Sequence, residues 1–233
     1  MDTNKISNEK LVEMLPDIFS ILTEEQTGLI LSNIQIQEYL KNDIIYQEGE
    51  MPAHLLCLLC GKVKIFKNGA GGRSQIMRVM NAVEYFGFRA AFSGQTYNTG
   101  AAAFEQSTIA TIPLSIIESI IKNNSQLAWF FIRKLATALG QSDERTVSLT
   151  QKHIRGRLAE SILFLKDQYG VEDDGNTLCI CPSRKDLANL SNMTTSNAIR
   201  TLSLFVSEGL VVVDGRKITI QKEEELKRIS RLG

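Results

Sequence analysis

The sequence predicts an α+β chain in three successive parts: a β-rich N-terminal module, one long helix, and a C-terminal winged helix-turn-helix. Three observations carry that prediction. Between Ile34 and Ile112, short apolar runs alternate with glycine-bearing turns. From about Ser125 to Thr150 the apolar spacing becomes that of a single uninterrupted helix. Over residues 183–220, two short helical patterns are followed at once by a hairpin signal.

Taken in order, Leu11, Met14, Leu15, Ile18 and Leu22, then Leu29 and Ile30, recur at helical spacing with Pro16 interrupting them. They read as short helices packed on a sheet. The expected strands are Ile34-Ile36-Glu38-Leu40, Asp43-Ile44-Ile45-Tyr46, Leu55-Leu56-Cys57-Leu58-Leu59, Val63-Lys64-Ile65-Phe66 and Ile76-Met77-Arg78-Val79-Met80. Many short strands with glycine turns indicate a small sandwich or barrel. The Gly-Ala-Gly-Gly run at 69–72 reads as an exposed hairpin loop. After Ile116, Ile117, Ile120 and Ile121, the long helix repeats Ala128, Ile132, Leu135, Leu139, Ser142, Thr146 and Leu149 at alternating steps of four and three. That is a heptad seam and predicts a homodimer; the competing reading is one helix lying along its own domain. A second helix is expected over Ile154–Tyr169, followed by a solvated acidic turn at Glu172-Asp173-Asp174-Gly175-Asn176.

Residues 183–206 divide into two helices around Asn192. Leu187, Ala188 and Leu190 are the expected buried face of the first, and Ala198, Ile199, Leu202 and Phe205 that of the second. Ser183 with Asp186, and Thr194, are placed to cap the two N-termini. In such a pair the N-terminal residues of the second helix meet base edges. Asp214-Gly215-Arg216, between Gly209-Leu210-Val211-Val212-Val213 and Lys217-Ile218-Thr219-Ile220, supplies the hairpin that forms the wing.

Bulk properties exclude other classes. Hydrophobic residues at 43% and charged residues at 22% make this an ordinary globular chain and not a disordered one. Basic and acidic residues balance at 26 each, so the DNA reading rests on local pattern and not on net charge. Residues 1–151 hold 13 basic and 15 acidic side chains, and residues 152–233 hold 13 and 11, a slight tilt in the expected direction. The opening MDTNKISNEK has no apolar core of a signal sequence, and no run spans a bilayer, so a cytoplasmic protein without a membrane partner is expected. Four cysteines are too few for a disulfide framework, which agrees with a reducing compartment. No Walker loop, nucleophile elbow or His-Glu-x-x-His is present, and an enzyme is not expected.

The whole order resembles the CRP/FNR family, named for the cyclic-AMP receptor protein and the fumarate and nitrate reduction regulator. The residues that carry the resemblance are Tyr46-Gln47-Glu48-Gly49-Glu50 leading to Gly61-Lys62-Val63-Lys64-Ile65, Arg157-Leu158-Ala159 with Ile162-Leu163, and Ser183-Arg184-Lys185-Asp186-Leu187-Ala188. The resemblance implies a double-stranded β-helix (jelly-roll, cyclic-nucleotide-binding-like) sensor over 1–124, a dimerisation helix over 125–151, and a winged helix-turn-helix over 152–233. It also implies a second helix lying in the major groove with Thr195, Ser196, Asn197 and Arg200 toward DNA. Arg200 suits a guanine edge and Asn197 an adenine edge or a phosphate; Arg184 and Lys217 suit phosphates. With Thr194 at the helix start, these seven form the expected DNA-binding set. Thr195-Ser196 stands where family members usually carry Arg-Glu or Val-Glu, so the familiar half-sites are not expected.

In the sensor, the family's ribose-binding Gly-Glu is Gly87-Phe88 here, and Asn98-Thr99 occupies the place of its phosphate-binding Arg-Ser. Cyclic AMP held in the family manner is therefore not expected. The effector pocket is placed at Phe88, Arg89, Asn98, Thr99 and Ser142, with a salt bridge as the competing role for Arg89 and a tolerated small polar residue as that for Ser142. No cysteine precedes Cys57, so an FNR-type iron–sulfur cluster is not expected. Cys57 and Cys60 fall on opposite faces of a strand, and Cys179 with Cys181 share a face but, with no His nearby, offer at best a partial zinc site; they are expected to be buried, and no metal site is expected. His54 and His153 are the only imidazoles available to a haem. The functional expectation is a homodimeric regulator on a pseudo-palindromic operator, with RNA polymerase as a further partner if it activates. The alternative is a cyclic-nucleotide-type ligand-binding module whose C-terminal motif makes protein contacts.

Overall fold

The computed structural model describes residues 6–69 and 74–233, so the loop expected at 69–72 lies, beyond Gly69, outside the described residues. The chain divides into two compact units, one of Met1–Asn68 and Met77–Leu139 and the other of Gly69–Ile76 and Gly140–Gly233.

In the first, strands β1 (Gln35–Tyr39), β2 (Ile44–Tyr46), β3 (His54–Cys60), β4 (Val63–Asn68), β5 (Ser74–Met80), β6 (Glu84–Phe86), β7 (Gly100–Ala103) and β8 (Ser107–Pro113) form two four-stranded sheets. Their orders are β1-β8-β3-β6 and β2-β7-β4-β5. Strand β3 shows why the roll closes. It pairs antiparallel with β8, Leu56 opposite Thr111, Cys57 opposite Ala110 and Leu58 opposite Ile109. Leu56 and Leu58 join Tyr46, Val63, Ile65, Met80, Phe86, Tyr97 and Ile109 inside the roll. Leu55, Cys57 and Leu59 face the other way, into a cluster with Leu11, Leu15, Ile18, Phe19, Ile30, Ile117, Leu127 and Phe131. A strand buried on both faces requires an unbroken apolar run, which Leu55 to Leu59 provides. Cys57 is buried with Leu55 and Leu59, whereas Cys60 is exposed at the end of the strand, past the register shift that follows Leu58.

The helices of that layer are α1 (Asn8–Met14), α2 (Pro16–Phe19), α3 (Glu24–Leu31) and α5 (Leu114–Ile121). Thr23 and Gln26 cap α3 reciprocally. A short helix α4 (Phe88–Phe92) and the long α6 (Ser125–Gln151) follow the strands that precede them. Asn124 begins α6 with its side-chain oxygen accepting from the amides of Gln126 at 3.0 Å and Leu127 at 3.1 Å. Gly61 turns β3 into β4 at φ +88°, and a Cβ there would lie 2.3 Å from the Gln106 carbonyl, so no other residue fits.

The second unit contains α7 (Ile154–Tyr169), α8 (Arg184–Leu190), α9 (Thr195–Ser207), β9 (Val211–Asp214), β10 (Lys217–Ile220) and α10 (Glu223–Leu232). The bounds of α7 and both capping positions agree with the sequence reading; α10 had no signal in it. Ile199 departs from expectation: it is 47% exposed, and Thr201 is buried in its stead. The physical reason is the helical period, because Ala198, Thr201, Leu202 and Phe205 form one stripe and Ile199 sits about 100° away from Ala198. Fully buried Phe205 anchors that stripe, a burial worth about 1.5–3 kcal/mol.

Candidate nucleic-acid interface

Helix α9 is aimed by its own N-terminus. The Thr194 hydroxyl accepts from the Asn197 amide at 3.2 Å, so Thr194 has a capping role in the free protein. Thr195, Ser196 and Arg200 are exposed and Asn197 is half-buried. Ser196, Arg200 and Ser203 lie opposite the buried stripe, with Ile199 beside them. Among the described residues Arg200 makes no hydrogen bond or ion pair, so its guanidinium is available to a partner.

The turn between α8 and α9 is fixed by groups the sequence reading did not single out for it. Asn192 adopts φ +48°. The Arg157 guanidinium donates to the Asn192 carbonyl at 3.1 Å, and that of Arg145 donates to the Leu190 carbonyl. Ser191 and Ser161 share a buried hydrogen bond at 2.8 Å. Burial pulls the Arg145 guanidinium below its ordinary range, an effect that Glu160 opposes. The signal available in sequence was two arginines on apolar-patterned helices. Their partners are main-chain carbonyls, which no sequence pattern reveals.

Arg184 and Lys217, expected on phosphates, are engaged internally in the free protein. Arg184 donates to the Gly215 carbonyl at 2.9 Å, tying the start of α8 to the wing turn. Lys217 pairs with Glu172 at 2.9 Å, and that partner raises its pKa. Both side chains of this pair are half exposed, so solvent screens the pair and it contributes little to stability. The wing register sets Lys217 opposite Asp214. The acidic turn before it is organised by Asp174, which accepts from the Asn176 amide at 2.9 Å and the Thr177 amide at 2.8 Å.

Of the expected effector residues, Phe88 is corrected. It is 4% exposed and packs 5.2 Å from Phe131 in the cluster under the helices, not in the roll. Gly87, at φ +84°, turns the chain into α4, and an apolar ring at the next position is drawn to the aromatic side. Inside the roll, Tyr46 stacks on Tyr97 with ring centres 3.8 Å apart. Thr99 hydrogen-bonds Tyr46, whose pKa burial pushes up to about 12, with Arg89 and Arg78 opposing the shift. Burial pulls the Arg78 guanidinium below its ordinary range, with Glu84 opposing and Arg89 adding to the shift. Asn98 is exposed, its carbonyl accepting from Lys67 at 2.7 Å. Ser142 is exposed, its carbonyl accepting from Thr146 at 2.8 Å.

On α6, Ile132 (49%), Leu139 (65%) and Thr146 are exposed as a seam requires, together with Trp129 and Val147 outside the expected set. Leu135 instead leans on the unit's own core, and Ala128 and Leu149 are half-buried. The exposed apolar stripe of α6 is thus rotated toward Trp129 and Val147 relative to the expected seam.

Comparison with known proteins gives the family. A cyclic nucleotide-binding domain model matches residues 36–124, and a Crp-like helix-turn-helix domain model matches residues 156–229. The chain belongs to the CRP/FNR family. Among curated relatives of this CRP/FNR protein is the CRP-like cAMP-activated global transcriptional regulator of Mycobacterium tuberculosis, 20% identical over 92% of this chain and 96% of the relative. The fumarate and nitrate reduction regulatory protein of Escherichia coli is 22% identical over 82% of this chain and 76% of its own length. Among solved structures, a putative CRP/FNR-family regulator from Eubacterium rectale superposes with a TM-score of 0.82 at 20% identity, covering 92% of this chain and 97% of the other. The protein is accordingly a DNA-binding transcription regulator, as its relatives are, and not an enzyme. Among the described residues no helix is long and apolar enough to cross a membrane.

Proposed function

We propose that the protein acts in the cytoplasm as a homodimer on a pseudo-palindromic operator, each subunit reading the major groove with Thr195, Ser196, Asn197, Arg200 and the adjoining Ile199. The observation that carries this reading is the N-terminal half of α9, whose exposed face presents Ser196 and Arg200 directly opposite the buried Ala198, Leu202 and Phe205. Arg200 is assigned to a guanine, Asn197 to an adenine or phosphate, and Ile199 to a thymine methyl. Arg184 and Lys217 are assigned to the sugar-phosphate backbone, to which Lys217 transfers from Glu172. Dimerisation is assigned to α6 through Trp129, Ile132, Leu139 and Val147, exposed apolar side chains on a single helix.

The sensor is proposed to respond to something other than cyclic AMP held in the family manner. Two features support this: the buried Phe88 supplies no carboxylate for a ribose, and Asn98 and Thr99 carry no charge for a phosphate. The stacked Tyr46 and Tyr97 also occupy the roll interior. The cations within electrostatic reach of Tyr46 are Arg78, which Glu84 opposes, and the exposed Arg89, and an acidic effector is the class they would attract. RNA polymerase is a partner if the protein activates.

Selection from random duplex DNA tests the proposal. A two-fold inverted repeat with half-sites one helical turn apart is expected; recovery of no repeat by protein shown to be dimeric refutes it.

A further inference from the structure

Cysteine is among the most consistently buried side chains, and Cys179 and Cys181 were expected inside. Both are exposed. They flank the buried Ile180 on a short segment, with Leu178 and Pro182 also buried, so the two thiols share the solvent side.

The segment is anchored at both ends to DNA-binding elements. Upstream, the Leu178 amide donates to the Ile218 carbonyl of the wing at 2.9 Å, and the Cys179 amide to the Gly170 carbonyl at 3.2 Å. The Thr177 and Thr219 hydroxyls meet at 2.7 Å. Downstream, Ser183 caps α8 and is capped in turn by Asp186, while Arg184 holds the wing turn at Gly215. Lys217, a proposed phosphate contact, lies within electrostatic reach of Cys181.

We propose that Cys179 and Cys181 form a redox-responsive dithiol, oxidised by a hydroperoxide to an intramolecular disulfide that weakens DNA binding. One thiolate sulfur attacks the peroxide; the O–O bond breaks, water leaves, and the sulfur becomes a sulfenic acid. The second thiol attacks that sulfur, the S–S bond forms, the S–O bond breaks, and a second water leaves. With hydrogen peroxide the sum is two thiols and one peroxide giving one disulfide and two waters. A cellular dithiol reverses it by exchange.

Geometry supplies the coupling. Two residues of extended chain span about 6.6 Å, whereas disulfides favour a Cα separation of about 5.5–6 Å. The chain is already bent at Cys179 and Ile180, so closure requires a contraction on the order of 1 Å or less. That contraction falls between the wing and the cap of α8, whose relative placement sets the phosphate contacts. The functional consequence rests on the DNA-reading proposal above; the thiol chemistry does not.

The test uses the full chain carrying Cys60→Ser, which leaves this pair as the exposed thiols beside the buried Cys57. Protein is treated with hydrogen peroxide, quenched, and divided. Mass spectrometry of the tryptic peptide 167–184 is expected to show the loss of two hydrogens, reversed by dithiothreitol. Fluorescence anisotropy with duplex DNA is expected to show at least a tenfold loss of affinity, likewise reversed, and absent when Cys179→Ser and Cys181→Ser are added. Oxygen adducts without the two-hydrogen loss, or bridges only between chains, overturn the dithiol. A disulfide that forms while affinity is unchanged overturns the coupling. A selection without an inverted repeat, by contrast, overturns the reading proposal and leaves the peptide result standing.

Discussion

Truncating Arg200 to alanine separates base reading from every structural role. Its guanidinium makes no hydrogen bond or ion pair among the described residues and its position on α9 is exposed, so folding stability should change by no more than about 0.5 kcal/mol. A lost bidentate contact to guanine costs about 1–3 kcal/mol per half-site, or about 5- to 150-fold in affinity. Two half-sites double the free energy, to about 2–6 kcal/mol. The assay is anisotropy with the selected operator and with an operator whose assigned G·C pair is replaced. Wild type should discriminate the two, and Arg200→Ala should bind both with similar, weaker affinity. Lys217→Ala is the control: it should weaken both sequences alike and reduce the salt slope by about one per subunit. Arg200→Ala protein that keeps its discrimination, or loses affinity equally on both sequences, refutes the assignment.

Three other outcomes are expected. Arg157→Ala removes a charged donor from the Asn192 carbonyl, costing about 1.5–3 kcal/mol; calorimetry should show a lowered melting temperature, and an unchanged one would dismiss the clamp. Leu139→Glu places a charge on the exposed α6 stripe and should yield a folded monomer by sedimentation, whereas a persistent dimer would relocate the interface. Burial pushes the Cys57 thiol up to about 12, so iodoacetamide at pH 8 should label Cys60, Cys179 and Cys181 and spare Cys57 until unfolding. Because the folded value is raised, this group's contribution to stability is complete below the thiol's ordinary range and is lost as pH rises toward 12. Denaturant midpoints should therefore decline above about pH 9, and less so in Cys57→Ala.

The parts of the fold that were legible in sequence are those where a local rule and the tertiary structure agree. Helix α7 and the capping of α8 and α9 follow from periodicity and from Ser183 and Thr194, and the wing from Asp214-Gly215-Arg216. Three-residue β6 and the alanine-rich β7 are too short for a pattern, and α10, with three glutamates in its first turn, carried no reading at all. The exposed face of α9 was legible apart from Ile199, which an apolar-means-buried rule misplaced by one helical step. The clamp of Arg145 and Arg157 was not, because main-chain carbonyls carry no residue identity. Cys179 and Cys181 were misread for the converse reason: the segment is irregular, so alternation placed both thiols on one side without saying which.

In the sensor half, the strands that close the roll are separate from the segment expected to hold an effector. Closure of the roll depends on β3 being apolar on both faces and on its register with β8, and neither Phe88 nor Asn98 and Thr99 belongs to that ladder. They lie between β6 and β7, where side chains change at little cost to pairing. A carboxylate at position 88 would have to stay solvated or find a charged partner. A phenylalanine there instead buries its ring against Phe131 and Phe92, a gain of about 1.5–3 kcal/mol. Burial of Phe88 therefore stabilises the helical side of the unit and leaves no carboxylate at that position for a ribose, in line with the effector proposed above. Arg78, with Glu84 beside it, and the exposed Arg89 are the charges nearest Tyr46 and the first positions at which to test the proposed effector.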